Sequence, residues 1–170
     1  QKTPYDVLLD QYEPGLTTEE LDRVFGTLKE GILDIKAVLD KKESIDTSFL
    51  NRYVPKELQK KYVTYLVDEL GYDFSRGKLD DTVHPFMLAI NRNDARITTR
   101  WDEHDVSMAL FGVIHEAGHG IYEQNIDPQY DKTPLSTGVS MGIHESQSLF
   151  YEILVGGNYA FWQYQYPKFQ

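Results

Sequence analysis

Residues 115–119 read His115-Glu116-Ala117-Gly118-His119, an order of side chains that can do hydrolytic chemistry. On a helix, residues i and i+4 lie on one face a turn apart, so both imidazoles can reach one ion. Glu116 projects roughly 100° around the helix from His115, beside such an ion and not on it. That is the place for a general base acting on a metal-activated water. The plain alternative is a solvated helix face with a neighbouring glutamate. The flanking residues speak against it, because Val106, Ala109, Leu110, Phe111, Val113, Ile114 and Ile121 make the segment apolar nearly all round. Such a helix is buried, and two histidines and a glutamate buried with it need a reason. Gly112, Gly118 and Gly120 on the same stretch imply that another backbone or a ligand comes close.

A hydrolytic zinc site takes three protein ligands and keeps one position open. Six residues past His119 stands Asn125, so the third histidine of the metzincin spacing is absent. The next dense polar cluster is His144-Glu145-Ser146-Gln147-Ser148, on the following helix. Glu145 lies 26 residues after His119, room for a loop through Pro128 and Pro134 and an antiparallel return. Glu152 follows two turns later on the same face and is a candidate hydrogen-bond partner for a ligand histidine. His144 also reads as a packed polar residue, and Glu152 as a solvated one.

The elements that must position these groups are mostly helical. A helix begins near Thr17, with Glu20 completing a capping box, and carries an apolar stripe through Leu21, Val24, Phe25, Leu28, Ile32, Ile35 and Leu39. Pro55 starts a second helix that Gly71 ends. After a polar stretch at 72–81, residues 82–90 and 95–101 read as two strands around the turn Asn91-Arg92-Asn93, an antiparallel hairpin. A helix then runs from Glu103 to about Gln124 and a last one from Ser140 to Val155, followed by an aromatic tail from Asn158 to Tyr166. The expected fold is mainly α with a small antiparallel hairpin, a zincin-type helix and a following ligand helix. One unit is expected over 1–170, with 1–81 as helical scaffold and 82–170 holding the hairpin and zinc-site helices. The strand from Arg96 to Thr99 offers an edge for pairing an extended substrate. Arg96, Asp94 and His84 are candidates for contacting a ligand histidine or the substrate; Asp94 and Arg96 also read as an ion pair bracing the hairpin, and His84 before Pro85 as a packing or turn residue.

Composition bounds the partners. Seventeen Lys and Arg against 27 Asp and Glu give a formal charge of −10, which argues against a general nucleic-acid or anionic-membrane surface. There are no cysteines, so disulfides, thiolate zinc sites and a cysteine nucleophile are excluded, and a cytoplasmic location is favoured. The start, Gln1-Lys2-Thr3-Pro4, is neither an initiator nor a signal peptide, as expected of a cut or processed chain.

Several segments in order carry a resemblance: His84-Pro85-Phe86; Asp94-Ala95-Arg96-Ile97-Thr98-Thr99-Arg100; His115 through Gln124; Thr133-Pro134-Leu135; and Gly142-Ile143-His144-Glu145-Ser146-Gln147-Ser148. The chain resembles the thermostable zinc carboxypeptidases of the carboxypeptidase Taq family, over most of residues 84–164. The resemblance implies that His115, His119 and Glu145 hold the metal and that Glu116 is the catalytic base. It implies Zn2+ as cofactor, with Co2+ or another divalent metal as substitutes, and a peptide as substrate. It also implies a homodimer of the full-length protein. Residues 149–153, Leu-Phe-Tyr-Glu-Ile, depart from the family pattern without touching those ligands. The chain corresponds to the central third of such an enzyme. A histidine and an arginine that later segments contribute to the family's active site lie outside it, so weak or no activity is expected of this piece alone. Two other readings fit the same residues: a related zinc oligopeptidase or endopeptidase, and an inactive zinc-stabilised binding module.

Overall fold

The computed structural model describes residues 3–169, so Gln1 and Lys2 of the opening segment lie outside the described residues. Packing groups the chain into two compact units. The first runs to Asp46 and includes Ser140–Gly142; the second comprises Thr47–Val139 and the chain from Ile143 on. The helix that follows Pro55 lies in the second unit and packs against the histidine helix.

The first unit holds α1 (Pro4–Tyr12) and α2 (Thr18–Leu39). The buried Asp6 carboxylate joins them: it accepts from the Thr3 amide at 3.0 Å, the Thr18 amide at 2.8 Å and the Thr18 hydroxyl at 2.6 Å. Thr17 caps α2, accepting from the Glu20 amide, while the Glu20 carboxylate, expected to complete the box, instead accepts from Arg23. The apolar stripe of α2 is present but uncovered, since no α2 residue is buried.

The second unit is built around α4 (Val106–Gln124), which packs against α3 (Lys56–Glu69) and a three-stranded sheet. Gly71, at φ +106°, closes α3 in a conformation that glycine adopts freely. The sheet contains β1 (Leu79–Asp81), β2 (Met87–Asn91) and β3 (Asp94–Thr99), in the order β1-β3-β2. The expected antiparallel hairpin is β2–β3. β1 is an addition that pairs parallel to β3, Leu79 opposite Ile97, so the sheet is mixed and not purely antiparallel. β3 is thus the central strand, its two edges taken by β1 and β2, and it has no edge left to pair with a substrate between Arg96 and Thr99.

Two glycines allow close layers. A Cβ at Gly77 would collide with the Tyr72 hydroxyl and the Ala95 carbonyl, where Tyr72 donates to Ala95. A Cβ at Gly120 would meet the Tyr72 ring at 2.7 Å and the Ile97 side chain at 3.3 Å. Tyr72, Ile97, Val113, Ile114 and Ala117 fill the core between sheet and helices.

The predicted last helix divides in two. α5 (Met141–Leu149) is α-helical, and residues Phe150–Val155 continue as a π-helix, with the Gly156 amide donating to the Tyr151 carbonyl five residues back. The aromatic tail is a further helix, α6 (Tyr159–Phe169), started by Asn158, whose side chain accepts from the Ala160 amide. Phe161, Trp162 and Phe169 pack against the core. Glu69 on α3 holds α6 in place, accepting from Tyr164 (2.7 Å), Gln165 (2.6 Å) and Lys168 (2.9 Å). No helix among the described residues is long and apolar enough to cross a membrane.

Candidate metal centre

α4 brings His115 and His119 onto one face, ring centroids 5.0 Å apart. The second element of the site is α5, and Gly118 sets how near it comes. A Cβ there would stand 2.7 Å from the Ser148 Cα and 3.0 Å from the Gln147 carbonyl, so backbone meets backbone at this crossing. That approach delivers Glu145, three residues before Ser148. Its carboxylate oxygens lie 3.2 Å from His119 Nε2 and 3.7 Å from His115 Nε2. One ligand atom from each of His115, His119 and Glu145 falls within 4.8 Å of the others. Two imidazoles and a carboxylate converging this closely are the donor set of a divalent ion such as zinc, and the residues fit such an ion.

The outer nitrogens are also engaged. His115 Nδ1 stands 2.8 Å from Glu152 Oε2, so Glu152 meets a histidine even though it sits in the π-helical segment and not on a continuous α-helix. His119 Nδ1 lies 2.6 Å from His144 Nδ1, and His144 Nε2 lies 2.8 Å from Glu123 Oε1. Glu123, only 2% exposed, also accepts from the Thr137 hydroxyl at 3.0 Å. In the sequence this relay leaves one trace, Glu123 one helical turn beyond His119.

Glu116 is buried beside the histidines. Burial pushes its carboxyl up to about 6; His115 opposes the shift, while Glu145 and Glu152 add to it. Burial, followed by the neighbouring His144 and His115 rings, pushes the His119 pKa down and favours the neutral imidazole that binds metals.

The remaining candidates are not brought to this cluster. Asp94 and Arg96 form a paired ion bridge with two contacts of 2.8 Å. Side chains alternate along a strand, and the buried Ala95 and Ile97 face the α4 side, so exposed Arg96 points away from the histidine helix. His84 stands exposed ahead of β2. Thr98 has a positional role, its hydroxyl accepting from the Phe86 amide at 2.9 Å and donating to the Phe86 carbonyl at 3.0 Å.

The family model for the carboxypeptidase Taq (M32) metallopeptidases matches residues 1–170. The chain belongs to that family. It is 54% identical over 171 residues to carboxypeptidase 1 of Bacillus subtilis, covering 100% of this chain and 34% of that protein. It is 43% identical over 165 residues to thermostable carboxypeptidase 1 of Thermus thermophilus, covering 96% of this chain and 32% of that one. Among solved structures, the M32 carboxypeptidase from Deinococcus radiodurans R1 superposes with a TM-score of 0.94 at 39% identity, over 97% of this chain and 33% of that one. The M32 chain described here therefore spans about a third of the length of these relatives.

Proposed function

We propose that the complete protein is a zinc-dependent metallocarboxypeptidase hydrolysing the C-terminal peptide bond of peptides, with His115, His119 and Glu145 as metal ligands and Glu116 as general base. One observation carries this reading: three donors from two helices converge within 4.8 Å in a member of a metallopeptidase family. A bound zinc ion supplies Lewis acidity and a water whose pKa is lowered toward roughly 7. Cobalt or another divalent metal suits the same donors.

The side chains do the rest. His115 and His119 present their Nε2 atoms on the face that Glu145 closes. The Glu116 carboxylate takes a proton from the attacking water and passes it to the leaving amine nitrogen. Its raised pKa suits both halves of that transfer, because a carboxyl near 6 accepts and returns a proton at neutral pH more evenly than an exposed one. Glu152 accepts the Nδ1 hydrogen of His115 and fixes its ring. Recognition of the substrate's terminal carboxylate falls to segments outside this chain, and this piece alone is weakly active or inactive. A cytoplasmic homodimer is the expected state of the whole protein.

The test gives the zinc-loaded complete protein one peptide with a free C-terminus and the same peptide amidated. Release of C-terminal residues from the free form alone is the expected result. Internal cleavage of both peptides would make it an endopeptidase. Cleavage of neither by a zinc-loaded protein would leave a zinc-stabilised module.

A further inference from the structure

Both histidines on α4 have an occupied outer nitrogen, but by different means. His115 meets a carboxylate directly, 2.8 Å from Glu152. His119 meets another imidazole, which in turn meets a carboxylate: His119 Nδ1 to His144 Nδ1 at 2.6 Å, and His144 Nε2 to Glu123 Oε1 at 2.8 Å. The hydrogens in this chain can be assigned from what each group is able to do. A carboxylate only accepts, so His144 Nε2 carries a hydrogen and donates it to Glu123. A neutral His144 then has its lone pair on Nδ1 and accepts there. His119 must donate from its own Nδ1, which leaves its Nε2 bare, 3.2 Å from Glu145 on the side where the three donors converge.

We propose that Glu123 and His144 are a positioning pair that holds His119 in its Nδ1–H tautomer, with the Nε2 lone pair turned toward the divalent ion. This rests on the metal-site reading above and goes beyond it by assigning two residues that neither touch the ion nor belong to the donor set.

Three further features of the fold serve the same placement. Glu123 is 2% exposed and is also held by the Thr137 hydroxyl at 3.0 Å, so the far end of the chain is fixed in the interior. The His144 ring is flanked by two other rings. Its plane lies 29° from that of His119 with centroids 4.7 Å apart, as a hydrogen bond between their ring edges requires, and Tyr122 lies 4.8 Å from it at 36°. The loop before α5 leaves room for it, because a Cβ at Gly138 would fall 2.5 Å from His144 Cδ2 and 3.2 Å from its Cγ. A residue packed for its bulk alone needs neither a buried carboxylate on one nitrogen nor an imidazole on the other. The inserted ring also has an electrostatic consequence. It keeps the Glu123 charge one side chain further from the ion than the Glu152 charge, so the two ligand histidines differ in how strongly they are polarised.

The test compares His144→Phe with His144→Asn in the complete protein. Phenylalanine keeps the ring and removes the acceptor. Asparagine loses the bond to Glu123 but places an amide oxygen near the former Nδ1. Zinc dissociation constants are measured by chelator competition, and the exchangeable ring N–H resonances of the ligand histidines are followed in the Co2+-loaded protein. The proposal predicts that His144→Phe weakens zinc binding about 10- to 100-fold and loses one of the two shifted N–H signals. His144→Asn should keep both signals and stay within a few-fold of wild type. Gly138→Ala, which displaces the ring from outside the pair, should weaken zinc binding in the same direction, and it carries the test if His144→Phe does not fold. Equal losses in the Phe and Asn variants, or unchanged affinity with both signals retained in the Phe variant, would overturn the positioning role while leaving the metal site standing. Failure of the wild type to bind zinc would remove the metal reading itself, and this inference with it.

Discussion

The crossing of α4 and α5 at Gly118 is the part of the site most exposed to a single added atom, and Gly118→Ala adds it. The new Cβ would stand 2.7 Å from the Ser148 Cα, where non-bonded carbons rest at about 3.5–4.0 Å. Both sides of the contact are backbone, so no side chain can rotate away, and α5 must withdraw by about 1 Å or the contact stays strained. Overpacking of this kind costs about 1–3 kcal/mol. The better helix propensity of alanine returns up to about 1 kcal/mol of that in the metal-free protein. Withdrawal carries Glu145 away from the two imidazoles, and metal–ligand distances tolerate only about 0.2 Å. Binding must then pull α5 back against the strain. At about 1.4 kcal/mol per tenfold, 1–3 kcal/mol becomes a roughly 5- to 150-fold weaker zinc dissociation constant. Chelator competition reads that constant, and denaturant unfolding of metal-free and zinc-loaded protein reads the stabilities. Zinc affinity within twofold of wild type, together with a metal-free protein made more stable by about 1 kcal/mol, would refute the claim that this glycine sets the ligand geometry.

Other outcomes follow from the same contacts. Glu116→Gln in the complete protein should lower turnover by at least 100-fold, the lower bound for losing a general base, while zinc stays bound; loss of zinc in that variant would contradict its placement beside the donors. Glu152→Ala should weaken zinc binding about 10- to 100-fold by freeing the His115 ring, measured by the same competition. Hydrogen bonds from Lys168, Gln165 and Tyr164 hold Glu69 down to about 2, well below its ordinary 4.5. A carboxyl depressed on folding stabilises fully above its unfolded value and loses that contribution as pH falls toward the folded one. Glu69→Gln should therefore unfold more easily than wild type near neutral pH. The gap should close as the pH is lowered from about 5 toward 2, seen by thermal unfolding across that range.

How much of this the sequence announces depends on how local each cause is. Thr17 as a cap, Gly71 as a stop and the burial of α4 depend on neighbouring residues and on one helical period, and all three are legible. The pairing of His115 and His119 is legible for the same reason, because four residues on a helix fix the relation between two side chains. Glu145 is harder, since its approach depends on the α4–α5 crossing that Gly118 permits, and only a dense polar cluster points to it. β1 hides because Leu79-Asp80-Asp81 is too short and polar to alternate, and its pairing comes from β3, 18 positions away at Leu79–Ile97. The π-helical segment leaves no periodic trace in Phe150–Val155, where Glu152 counts as though the α-helix continued. α1 carries a readable start in Thr3-Pro4 with Asp6, yet these residues invite reading as a terminus only. The stripe on α2 is legible and stays uncovered, a reminder that periodicity fixes a helix face without fixing what covers it. Asp94 and Arg96 look like site residues in one dimension, and strand alternation turns Arg96 to the far side of the sheet from the histidines.

The most direct test is a structure of the zinc-loaded complete protein, with the ion located by its anomalous scattering. His115 Nε2 and His119 Nε2 should coordinate it at about 2.0–2.1 Å and a Glu145 oxygen at about 2.0–2.2 Å, with one position left to solvent. An ion bound elsewhere, or one held by the two histidines with Glu145 turned into solvent, would contradict the account at its centre.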